Sequence, residues 1–168
     1  MSFLCVLNTQ VNNCNMSENR IKIPFQKGAM LVREMLTTKG IEAELGVTCS
    51  WLYDTKRFCK VKQGHVDAMN QAMWSIADKL SEVHIVYSDD RQSVINQIKT
   101  SLKPVKLRYI YEKHLGQDTQ WWSFRTAKLY GNGYGYSFTE DDVLRINLAI
   151  EDIVARLRRI ELVPDDAE

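Results

Sequence analysis

The sequence predicts an α+β chain, all-helical in its first half and mixed in its second, ending in one long helix. Three observations carry that prediction. Apolar residues recur at three- and four-residue intervals through much of residues 25–80, as a buried helix face requires. Two short β-branched and aromatic runs, Val83–Tyr87 and Val105–Tyr111, flank a helical pattern and read as a β-α-β segment. From Thr139 onward an amphipathic pattern carries a cap at one end and arginines at the other.

Size and composition support a packed domain. The chain has 168 residues, 45% of them hydrophobic and 26% charged, with 8 Gly and 3 Pro. That excludes disorder as the main state and excludes collagen-like or low-complexity classes. No run of uncharged apolar residues is long enough for a membrane-spanning helix. The apolar run Phe3–Leu7 has no Lys or Arg before it and is too short for a secretion signal. Residues 1–19 therefore read as an N-terminal arm or extension, with Met16 opening a more ordinary start. A cytoplasmic location follows, with reduced thiols at Cys5, Cys14, Cys49 and Cys59. Cys49, Cys59 and His65, with nine and five residues between them, fit no zinc spacing, so no metal is expected.

The elements follow in order. Phe25, Ala29, Leu31, Val32, Met35 and Leu36 line one face of a helix over Phe25–Thr37. A short helix is predicted from Gly40 to Leu45, ending at Gly46, and another from Thr48 or Ser50 to about Phe58. Val66, Met69, Ala72, Met73, Ile76 and Leu80 mark a longer one. A boundary falls near Ser81, dividing residues 20–80 from residues 82–163. Asp89 and Asp90 suit the cap of a helix carrying Val94, Ile95, Ile98 and Leu102, which Pro104 stops. Trp121, Trp122, Phe124, Tyr130, Tyr134, Tyr136 and Phe138 suggest a hairpin core around the Asn-Gly turn of Gly131–Gly135. A base-stacking platform is the functional alternative for these aromatics. Thr139 and Asp142 approximate a capping box, Phe138 and Val143 a hydrophobic staple, and Pro164 closes the last helix ahead of an acidic tail at 164–168.

Charge is segregated although the chain totals only +1. Residues 20–63 and residues 99–130 each carry a net of +5, and residues 139–168 a net of −5. Two basic stretches suit a polyanion.

The segment Ile41-x-x-x-Leu45-Gly46-Val47-x-x-Ser50-x-Leu52 joins these observations. Ile41 and Leu45 lie on one helix face, four residues apart. Gly46 sits where a left-handed turn favours glycine. Val47 is expected to be buried in that turn, and Leu52 to anchor the following helix. This pattern resembles the helix-turn-helix of bacterial and phage DNA-binding regulators, with Glu42 and Thr55 standing where the family has a small and an apolar residue. The resemblance covers residues 38–57 and implies a helix-turn-helix DNA-binding domain over 20–80. It implies base contacts from Thr48, Cys49, Ser50, Tyr53 and Arg57 in the major groove of double-stranded DNA. Lys39, Lys56, Lys60 and Lys62 extend that surface toward phosphates.

Val143, Ile146, Ile150, Ile153, Leu157 and Ile160 follow the spacing of a heptad seam and are expected to pair two copies as a homodimer. The α+β half, residues 82–163, would then hold the dimer, and two recognition helices would read a palindromic site. No nucleophile, base or glycine-rich phosphate motif is recognisable, so neither an enzyme nor a catalytic residue nor a cofactor is expected. The function predicted is transcription regulation in a bacterial, phage or mobile-element operon. The alternative is a small phage-type inhibitor that blocks a host protein complex through its aromatic, basic second half.

Overall fold

The computed structural model describes residues 20–48, 61–126 and 135–165. Among them are seven helices and a two-stranded parallel sheet, a mostly helical chain compatible with the α+β class. Strand β1 is Ile21–Pro24 and leads directly into α1, Phe25–Met35. Helix α2 is Thr38–Leu45 and α3 is Gln63–Ser81. Helix α4 is Arg91–Ser101. The single turn α5, Leu107–Tyr109, continues into a π-helical turn, Ile110–His114. Helix α6 is Thr119–Thr126, α7 is Glu140–Arg159, and β2 is Ile160–Val163.

The two long helices, α3 and α7, form the centre of the packing. Val66, Met69, Met73, Ile76 and Leu80 of α3 are buried with Val143, Ile146, Ile150, Ile153 and Leu157 of α7. Phe25, Val32 and Met35 of α1, Ile41 of α2 and Val94, Ile95 and Ile98 of α4 belong to the same cluster. At the start of α7 the capping box is complete. The Thr139 hydroxyl accepts from the Asp142 N–H at 3.1 Å, and the Asp142 carboxylate accepts from the Thr139 N–H at 3.0 Å. Phe138 and Val143 beside it are both buried. Among the described residues no helix is long and apolar enough to cross a membrane.

The heptad seam lies inside the chain. Val143, Ile146, Ile150, Ile153, Leu157 and Ile160 are each at most 8% exposed, so the face expected to receive a second copy is filled by the chain's own core. Ile160 is not helical. The last helix ends at Arg159 rather than at Pro164, because Ile160–Val163 turns extended and pairs in parallel with Ile21–Pro24. Each strand is only four residues, Ile-Lys-Ile-Pro and Ile-Glu-Leu-Val, too short for its apolar–charged alternation to stand out beside the adjoining helix.

The two predicted strands are absent as strands. Val83–Tyr87 is neither helix nor strand, and the partners of Ile85 and Val86 are side chains. The Asn147 carboxamide accepts from the Ile85 N–H and donates to the Ile85 carbonyl, both at 2.9 Å. Gln97 does the same to Val86, at 2.8 and 3.0 Å. Two amides thus stand where neighbouring strands would stand. A third, Asn70, holds Leu162 of β2 in the same way, at 2.8 and 2.9 Å. Val105 makes one antiparallel bridge, to Leu36, and the chain then turns helical. Leu107, Ile110, Tyr111 and His114 fall at helical intervals, so a turn of helix puts them on one side better than a strand would.

Trp121, Trp122 and Phe124 lie on α6, not in a hairpin. The Asp118 carboxylate accepts from the Trp121 N–H at 2.7 Å and starts that helix. Both tryptophans meet Phe138 edge-on, with ring centres 6.0 and 5.9 Å away. The turn at Gly131 and Gly133 lies outside the described residues.

Asn147→Leu leaves the buried N–H and carbonyl of Ile85 without partners, and about 2 to 4 kcal/mol of stability is lost. Urea denaturation of the two proteins measures that difference. His114 supplies a second expectation. Burial holds its pKa below the ordinary 6.5, Asp152 at 3.5 Å opposing and Arg156 adding to the shift. A histidine depressed in the folded state binds its proton more readily when unfolded. Its contribution is therefore full above the ordinary histidine pKa and is lost as pH falls below it. The melting temperature should drop more steeply below that pH in the native chain than in His114→Gln.

Candidate nucleic-acid interface

Helix α2 is held at three places. At its start, the Thr37 hydroxyl accepts from the Gly40 N–H at 3.0 Å. The Thr37 N–H donates to the Pro104 carbonyl, and the Lys106 N–H donates to the Met35 carbonyl, both at 2.8 Å. These bonds clasp the loop before α5 to the α1–α2 junction. Gly40 makes the clasp tight enough to close. A Cβ there would stand 2.5 Å from the Pro104 Cα.

Along its length, α2 packs through Ile41, fully buried, and Leu45, half-buried on the same face. Near its end, Glu44 receives the Lys79 ammonium at 2.7 and 2.9 Å and the Ser75 hydroxyl, both from α3. The Lys79 bond, then the Ser75 bond, hold the Glu44 carboxyl below the usual carboxylate range. Gly46 then takes φ 68°, the left-handed conformation that the motif predicts for the turn. Val47 departs from expectation. It is 60% exposed, because the left-handed residue ends α2 and leads the chain away from the core.

The clasp has an electrostatic result. The two basic segments of the sequence meet at the contact between Gly40 and Pro104. Lys39 is exposed on the first turn of α2, and Lys103 and Lys106 are exposed on the loop clasped against it. Arg33 lies on the last turn of α1, half-buried. Burial first, and then the charge of Arg33, push the Lys106 ammonium below the ordinary lysine range, Glu34 opposing. The N–H groups at the start of α2 add their partial positive charge. The result is a cluster of four cations, Arg33, Lys39, Lys103 and Lys106, around the clasp, with the exposed Glu34 beside it.

The sequence-predicted residues divide in two. Lys39, Thr48 and Lys62 are exposed. Cys49, Ser50, Tyr53, Lys56, Arg57 and Lys60, with the rest of the second motif helix, lie outside the described residues. Arg33, Lys103 and Lys106 were not among the predicted contacts. The signal of Lys103 and Lys106 in the sequence is the charge excess of residues 99–130, and that of Arg33 the excess of residues 20–63, but the proximity of the loop lysines to α2 depends on a contact between positions more than sixty residues apart. No family model matches the chain, and no curated protein and no solved structure is significantly similar to it.

Gly40→Ala forces the new methyl group into the Pro104 backbone. The expected cost is about 1 to 3 kcal/mol, typical of overpacking at a tight contact. Thermal melts of the variant and the native chain measure it. An unchanged melting temperature means that the α1–α2 junction and the loop are not closely packed.

Proposed function

We propose that the chain is a sequence-specific double-stranded DNA-binding regulator, engaging DNA through the surface around α2 and the segment after Gly46. The observation that carries this is the meeting of two basic segments at the Gly40–Pro104 contact, on the helix that ends in the left-handed Gly46 turn. Phosphate contacts supply affinity and base contacts supply specificity. Lys39, Lys62, Lys103 and Lys106, joined by Lys56 and Lys60, take the phosphates. Thr48, Cys49, Ser50, Tyr53 and Arg57 take the base edges, as the resemblance of residues 38–57 implies. Gene control in a bacterium, phage or mobile element rests on that resemblance.

Binding to a selected duplex, measured against salt concentration, tests this function. Replacing Lys103 and Lys106 together by Ala should weaken binding to every sequence and flatten the log–log salt slope by about 2. Arg57→Ala should instead change which sequences are preferred, by about 1 to 3 kcal/mol at the base it contacts. An unchanged salt slope in the double variant removes the two loop lysines from the interface. Absence of duplex binding at physiological salt removes the function itself, and co-purification of a host protein with no retained DNA favours the inhibitor instead.

A further inference from the structure

Between the end of α3 and the second half of α7 lies a cleft of about 820 Å³. That volume is in the range of small-molecule sites. Ile150, Val154 and Ala155 of α7, with Val83 just after α3, give it an apolar wall. Ile150 and Val154 are buried and Ala155 is exposed, so the wall runs from the core to the surface.

Positive charge gathers at one end of the cleft. Ile21 pairs with Ile160 where the two strands begin, and the residue before each, Arg20 and Arg159, lines the cleft. The Arg20 guanidinium carbon lies over the Trp74 ring, 3.6 Å from its centre, and the stacking orients it. The Arg20 Nε is buried and has no hydrogen-bond partner. Arg159 is exposed, and among the described residues neither arginine pairs with a carboxylate. Arg158 lies at the same end but is already held by Asp78 at 2.8 Å and by the Ser81 hydroxyl at 3.1 Å. The acids of the cleft, Glu82 and Glu151, are exposed and pair with neither Arg20 nor Arg159. Glu151 precedes Arg159 by two turns of α7, about 12 Å along the helix axis. His84 precedes Ile85, which Asn147 holds, and so belongs to the opposite end. Two cations without counter-ions beside an apolar wall are complementary to an anion that carries an apolar body.

We propose that this cleft binds a small carboxylic acid with an apolar body. The carboxylate sits between Arg20 and Arg159 and accepts paired hydrogen bonds from the guanidinium that Trp74 orients. The body lies along Val83, Ala155, Val154 and Ile150. From Arg159 back to Ile150 α7 spans about 14 Å, room for an alkyl chain of medium length. The site uses none of the residues assigned to DNA, so it stands or falls separately from that reading.

Isothermal titration calorimetry of the full chain with decanoate, kept below its micelle concentration, tests the proposal. One molecule should bind per chain. Decylammonium, with the same body and the opposite charge, should bind at least about tenfold more weakly, because it meets two arginines instead of pairing with them. Acetate, the head without the body, should show no measurable binding, since burial of the methylenes supplies most of the affinity. Arg159→Glu should weaken decanoate at least about tenfold and bring decylammonium to equal or greater affinity. Ala155→Trp fills the cleft from the surface of α7 and should weaken decanoate by about the same factor, with the helical circular dichroism unchanged. Arg20→Gln should weaken decanoate as Arg159→Glu does. Should the loss of stacking on Trp74 unfold that variant, the Arg159 and Ala155 variants decide alone. No decanoate binding, equal binding of the two decyl compounds, or an affinity unmoved by either Arg159→Glu or Ala155→Trp overturns the proposal.

Discussion

Every buried peptide group needs a partner, and this chain meets that demand with side-chain amides where a larger sheet would use strands. Asn70 on α3 holds Leu162, and Asn147 on α7 holds Ile85. Both asparagines are less than a tenth exposed, so water does not compete for their bonds. Much of the architecture follows. Leu162 lies on β2, which closes the parallel pair with β1 and ties the start of α1 to the end of α7. Ile85 lies on the segment between α3 and α4, so Asn147 fixes the route by which the chain leaves one long helix and enters the next element.

Helix α3 is the common support. One part of its surface carries Asn70 and Trp74, whose indole N–H donates to the Ile160 carbonyl at 3.0 Å. Another carries Ser75 and Lys79, which grip Glu44 on α2. The proposed DNA-binding surface is therefore mounted on the same helix that anchors the sheet. The Thr37 and Gly40 contacts with Pro104 add a second mount from the other basic segment. A surface so braced suits recognition, because a displacement of α2 would strain two contacts at once.

Elements whose stability is local were legible before any coordinates. The capping box of α7 needs only Thr139 and Asp142 three residues apart. The stop at Gly46 needs only a residue tolerant of positive φ. The face of α3 needs only its own periodicity. Elements that depend on a distant partner were misread. Val83–Tyr87 has the composition of a strand, but Asn147 and Gln97 are the partners of its Ile85 and Val86. Val105–Tyr111 is too short for alternation to be distinguished from a helical turn, and its neighbours chose the turn. The six-residue seam of α7 has the spacing of a coiled coil because a wide apolar stripe looks the same whether it faces another chain or its own core.

The candidate interface shows the same division. Amino-acid order by itself determined helices α1 to α4 and α7, the caps at Asp90 and Thr139, the left-handed turn and the presence of two basic segments, because each depends on residues within a few positions of one another. Tertiary structure alone decided that those basic segments share one surface, that the α7 seam is interior while Leu144 and Leu148 are exterior, and that β1 and β2 exist. Each of these outcomes turns on a contact between residues far apart along the chain, where burial and hydrogen-bond satisfaction are shared by two segments and written in neither.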